Sequence, residues 1–119
     1  HPRARKRMNE FGINAGSIKL ADSLDYLTFL RLESRAKLIL TDSGGVQEEA
    51  CILGVPCVTL RYNTERPETV EAGANIVAGT DPKRILECAD LMLRKRRDWE
   101  NPFGDGTSGR RIVNIITGL

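Results

Sequence analysis

The 119 residues allow one domain at most, and a 40% apolar share is enough for a compact core. Net charge is only +2, with no stacking aromatics beside the basic clusters Arg3–Arg7 and Arg94–Arg97, which argues against a nucleic-acid binder. Those clusters read as solvated helix ends. No apolar run approaches the ~18 residues of a membrane span, and no signal peptide is expected. Cys51, Cys57 and Cys88 are odd in number and lack metal-ligand spacing, so a reducing, cytoplasmic setting is the default and no cofactor is expected.

Taken in chain order, Arg3 to Phe11 is a basic helical stretch that ends at Gly12. Ser17 to Ala21 is a short strand candidate. Asp25 to Arg35 carries Tyr26, Leu27 and Leu30 at near-helical spacing. Lys37 to Thr41 is a short apolar run, hence a buried strand. Val46 to Leu53 reads as a helix stopped by Gly54, and Pro56 to Leu60 as the next strand. Pro67 suits a first helical position, with Glu68 and Glu71 complementing the dipole. Ala74 to Ala78 is a further strand. Asp81 caps a long helix that runs to about Arg96. Asn101 to Gly106 is turn chemistry, and Thr107 or Ser108 caps a last helix through Ile116. This alternation predicts an α/β fold: a Rossmann-like parallel sheet with helices on both faces. Such sheets bind ligands at the carboxyl ends of their strands.

Two loops at such ends carry candidate chemistry. In the first, the strand ending at Thr41 runs through Asp42 and Ser43 into Gly44 and Gly45, which open a helix. Glycines admit a ligand close to the backbone, and the first helical turn offers unpaired N–H groups at the positive end of the dipole. That suits a phosphate or diphosphate. A tight turn with Ser43 as N-cap fits equally well. Asp42, repelled by phosphate, is expected to cap backbone. Glu49 shares the Gly45 face one turn on and could accept from ribose hydroxyls, whereas Glu48 reads as a surface residue. In the second loop, Arg61 and Arg66 can reach the same crevice as bidentate phosphate ligands, or form salt bridges with Glu65 or Glu68.

Five pieces in order then become specific: Thr41 to Ala50 (TDSGGVQEEA), Gly54-Val55-Pro56, Arg61, Thr64 to Glu68 (TERPE) and Asn101 to Gly106 (NPFGDG). Together they resemble the C-terminal domain of non-hydrolysing UDP-N-acetylglucosamine 2-epimerases, over nearly the whole chain. The resemblance implies the C-terminal half of a glycosyltransferase-B type fold, truncated at its N-terminus, with residues 1–119 as a partial nucleotide-binding domain. It implies a UDP-sugar substrate, with Ser43, Gly44 and Gly45 on the diphosphate, Glu49 on the ribose, the Phe29 backbone at the uracil, and Arg66 as a further ligand contact. Leu24 stands where some members have a glutamine beside the uracil. His1-Pro2 resembles a strand end in the family, and the catalytic histidine, acids and bases resemble positions upstream. No catalytic residue is therefore expected here. The expected partners are a missing N-terminal domain and, for the full-length protein, a second copy in a homodimer, without membrane or nucleic acid. Strands left without neighbours should expose apolar faces and promote self-association.

Overall fold

The computed structural model describes residues 1–118; Leu119, the last residue of the expected domain, lies outside them. Six helices and three strands follow one another: α1 (Pro2–Glu10), α2 (Tyr26–Ser34), β1 (Ile39–Thr41), α3 (Gly44–Leu53), β2 (Cys57–Thr59), α4 (Pro67–Glu71), β3 (Asn75–Val77), α5 (Pro82–Leu93) and α6 (Ser108–Thr117). The strands pair in parallel in the order β1-β2-β3, with Ile39 opposite Cys57 and Cys57 opposite Asn75.

Strand alternation sorts side chains to the two faces. Val58, Leu60, Ile76 and Ala78 meet Ile85, Cys88 and Met92 of α5, which forms the apolar core of one face. On the other face Cys57, Thr59 and Asn75 lie under α3 and α4, with Ala50, Cys51 and Val55 fully or almost fully buried. Helices thus cover both faces, as the alternating pattern predicts. Cys51, Cys57 and Cys88 are free and buried, and serve as small core residues.

Local signals set the boundaries. Gly54 ends α3 in the left-handed region at φ 75°, where a Cβ is disfavoured. The Asp25 and Asp81 side chains cap α2 and α5 by accepting from the backbone N–H of Thr28 and Arg84. Thr107 occupies the N-cap position of α6 without a side-chain cap bond; its hydroxyl donates to Asp105 instead.

Two expectations are corrected. Residues 17–21 form no strand: no neighbouring strand among the described residues supplies ladder partners, and Ile18 is 70% exposed. α5 stops at Leu93 rather than near Arg96. Arg97 donates to the carbonyls of Ala36 and Lys37, and the Trp99 indole N–H donates to the carbonyl of Cys51. These tertiary bonds draw the chain off the helix axis toward the start of β1.

Candidate functional site

The carboxyl end of β1 runs directly into α3. The Ser43 N–H donates to the Thr41 hydroxyl at 3.0 Å, and the Ser43 hydroxyl accepts from the Val46 N–H at 3.3 Å. Ser43 is therefore the N-cap. Among the described residues the Gly44 and Gly45 amides have no acceptor, as expected for the first turn of a helix. Asp42, expected to cap backbone, makes no such bond among the described residues; its carboxylate is exposed, because Ser43 takes the capping position.

Arg66 lies against this turn. A Cβ built on Gly44 would stand 3.6 Å from both Cζ and Nη1 of Arg66. Its Nε donates to Glu48 at 2.9 Å, its Nη1 to the carbonyl of Glu65 at 3.1 Å, and its backbone N–H to the Thr64 hydroxyl at 3.0 Å. Nη2 has no partner among the described residues. The guanidinium is thus oriented by the protein, with one nitrogen left for an anion. Glu48, read from sequence as a surface residue, is the residue that orients it. Arg61 takes the salt-bridge alternative, 3.9 Å from Glu65.

A buried polar network underlies both loops. The Gln47 Oε1 accepts from the Thr64 hydroxyl at 2.5 Å and from Asn75 Nδ2 at 3.2 Å. Asn75 also donates to Thr69 and accepts from Thr59. Gln47, 1% exposed, thereby ties the helix that offers the amides to the loop that offers the arginine.

Phe29 lies elsewhere on the same rim. A cavity of about 880 Å³ is bounded by Phe29, Ser43, Val46 and Asp42 on one side and by His1, Arg3 and Arg7 on the other. Ser43 belongs both to this cavity and to the amide-bearing turn. The Phe29 N–H is donated to the Asp25 carbonyl at 2.9 Å, so it is not free for a ligand in this conformation. Arg3 and Arg7, expected as solvated helix ends, line the cavity while remaining exposed. His1 accepts from the Arg3 N–H and caps α1.

Glu49 is half-buried on α3, beside Glu33 of α2. Burial first, and then the adjacent Glu49 carboxyl, raise the Glu33 pKa to about 7. Burial raises the thiols as well, Cys57 to about 12. Sequence reasoning passed over Glu33. Its one signal was position: an acid four residues after Phe29, on the inward side of an otherwise apolar stripe.

Among the described residues no cluster of three or more potential ligands is arranged for a metal, and no helix is long and apolar enough to cross a membrane.

The sequence profile of the family described as UDP-N-acetylglucosamine 2-epimerase matches residues 1–117. The chain belongs to this family. It is 58% identical to a UDP-N-acetylglucosamine 2-epimerase of Methanococcus maripaludis, over 99% of this chain and 34% of that protein. With the Escherichia coli K12 epimerase it shares 39% identity, over 98% of this chain and 32% of the relative. The crystal structure of the Methanocaldococcus jannaschii UDP-GlcNAc 2-epimerase, in complex with UDP-GlcNAc and UDP, superposes with a TM-score of 0.89 at 56% identity, over 100% of this chain and 34% of that one. The chain therefore spans about a third of the length of these epimerases. Their glycosyltransferase-B type architecture accounts for the open parallel sheet seen here.

Proposed function

We propose that residues 1–119 are the UDP-gripping part of the C-terminal domain of a non-hydrolysing UDP-N-acetylglucosamine 2-epimerase. The parent interconverts UDP-N-acetylglucosamine and UDP-N-acetylmannosamine in the cytoplasm for surface-polysaccharide synthesis. It contains an N-terminal domain and acts as a homodimer.

One observation carries this reading: the turn that bears the free amides of Gly44 and Gly45 lies beside a guanidinium that Glu48 holds next to Gly44. Amides, the Ser43 hydroxyl and Arg66 Nη2 supply convergent donors for a diphosphate. Glu49 takes the ribose hydroxyls, and Phe29 lies at the uracil. In the reaction UDP leaves carbon 1 as an anion while the carbon-2 proton is removed, which gives 2-acetamidoglucal. UDP then adds back with carbon 2 inverted. Donors already oriented stabilise the departing charge without reorganisation. The acids and bases that move the carbon-2 proton belong to the remainder of the parent.

Calorimetric titration with UDP tests the site. Binding is expected for the wild-type chain and is abolished by Ser43→Ala combined with Glu49→Ala. Unchanged affinity in the double variant refutes the assignment. For the full-length parent, reversible formation of the manno sugar nucleotide supports the activity; release of free N-acetylmannosamine identifies a hydrolase instead.

A further inference from the structure

Glu48 is not one of the ligand contacts assigned above; it acts on one of them. A Cβ built on Gly44 would stand 3.6 Å from Cζ, 3.6 Å from Nη1 and 3.8 Å from Nη2 of Arg66. The guanidinium is planar, and an approach in its plane would bring at least one nitrogen clearly nearer than Cζ. Near-equal distances therefore mean that it lies flat against the Gly44 position. Its three nitrogens then point in three directions within one plane. Glu48 Oε2 accepts from Nε at 2.9 Å, and the Glu65 carbonyl accepts from Nη1 at 3.1 Å. With two directions taken the third is fixed, and it belongs to Nη2, which has no partner among the described residues. The two holds are unequal. The Glu65 carbonyl belongs to the residue next to Arg66, and one such bond leaves the group free to swivel about it. The Glu48 bond is charge-assisted, comes from α3, and joins side chains only 34% and 38% exposed. The direction of Nη2 thus depends on Glu48. The Arg66 main chain is fixed separately. Its N–H donates to the Thr64 hydroxyl at 3.0 Å, and its carbonyl accepts from the Thr69 hydroxyl at 2.7 Å and the Thr69 N–H at 3.1 Å. Loss of Glu48 should free the guanidinium and leave the loop in place.

We propose that Glu48 is a positioning residue for the departure of UDP and acts on the reaction wholly through Arg66. This rests on the assignment of Arg66 to the diphosphate made above. As the bond between carbon 1 and oxygen breaks, its electron pair goes to the diphosphate oxygen. The carbon–hydrogen pair at carbon 2 becomes the new double bond, and the proton passes to a base in the remainder of the parent. A donor already aimed at the diphosphate gains more from this growing charge than from the bound substrate. Its misalignment therefore appears in kcat more than in KM.

The test is steady-state epimerisation of UDP-N-acetylglucosamine by the full-length protein and four variants: Glu48→Ala, Glu48→Gln, Arg66→Ala and the double alanine variant. Glu48→Ala should lower kcat about tenfold, the size of one charge-assisted hydrogen bond, and change KM by less than about threefold. Glutamine offers a carbonyl oxygen at the same reach, so Glu48→Gln should recover most of the lost kcat. Arg66→Ala should lower kcat about a hundredfold, and adding Glu48→Ala to it should cost nothing more. The inference is overturned if the two losses multiply in the double variant, if the Glu48→Ala loss is confined to KM, or if Glu48→Gln is as slow as Glu48→Ala. Unchanged constants in Arg66→Ala would instead refute the assignment of Arg66 to the diphosphate, and the role of Glu48 with it. Glu48 is 38% exposed, so its truncation opens no buried cavity. Should the alanine variants nevertheless not fold, Glu48→Asp decides. It keeps the charge on a side chain one methylene too short for Nε, so a fall in kcat supports the proposal and an unchanged kcat overturns it.

Discussion

Replacing Glu33 by glutamine should change how the stability of this chain depends on pH. In the folded state the Glu33 pKa is raised from 4.5 to about 7. Between those values the folded chain holds a proton that the unfolded chain has released, so stability falls as pH rises. Below 4.5 both states are protonated and there is no penalty; above about 7 the penalty is complete. At roughly 1.4 kcal/mol per pH unit, the interval from 4.5 to about 7 corresponds to about 3 kcal/mol. Glutamine has nearly the same shape and no proton to lose. Urea unfolding of both proteins, followed by helical circular dichroism at intervals from about pH 4.5 to pH 8, gives two stability curves. Glu33→Gln should gain on wild type by about 3 kcal/mol across that range, mostly between pH 5 and 7. Parallel curves would mean that Glu33 titrates in the folded chain as it does in the unfolded one, and the reasoning would fail.

Gly44→Ala should leave stability unchanged or raise it by up to ~1 kcal/mol, since the added Cβ meets Arg66 at an ordinary 3.6 Å. The same methyl crowds the Arg66 guanidinium beside the turn, and UDP affinity should drop at least about tenfold by calorimetry. Gly79→Ala should destabilise by about 2 kcal/mol, because its φ is 76° and a Cβ would fall 2.6 Å from the Tyr62 ring. Adding Tyr62→Ala should recover only the clash, as read from the thermal midpoint. Gln47→Leu deprives the Thr64 hydroxyl and Asn75 Nδ2 of a shared acceptor and should cost about 2–4 kcal/mol in urea unfolding. Amide exchange in the loop around Arg66 should quicken with it.

What was legible in the sequence was local. The apolar runs, the Pro and Gly punctuation and the aspartate caps located the helices and three of the strands, because each depends on a few adjacent residues. Ser17 to Ala21 has strand composition, but a strand also needs a partner, and none of the described residues provides one. The end of α5 was displaced by Arg97 and Trp99, whose acceptors lie 60 and 48 residues away. The site divides the same way. The two-glycine turn is a local pattern, whereas the Glu48–Arg66 pair spans 18 residues and connects α3 to the loop before α4. Glu33 was missed for a related reason: its meaning lies in what covers it, and spacing alone does not distinguish a buried acid from one turned to solvent.

The Gln47 amide has a mechanical consequence. It is carried by α3, it holds the Thr64 hydroxyl, and that hydroxyl accepts the backbone N–H of Arg66. The amide donors and the guanidinium are therefore joined through α3 twice, by Gln47 at the Arg66 backbone and by Glu48 at the Arg66 side chain. A tilt of α3 carries the opposing arginine with it, so the gap between them is preserved. The two jaws are coupled, and a relative hinge between them would have to break both the half-buried Gln47–Thr64 hydrogen bond and the Glu48–Arg66 pair.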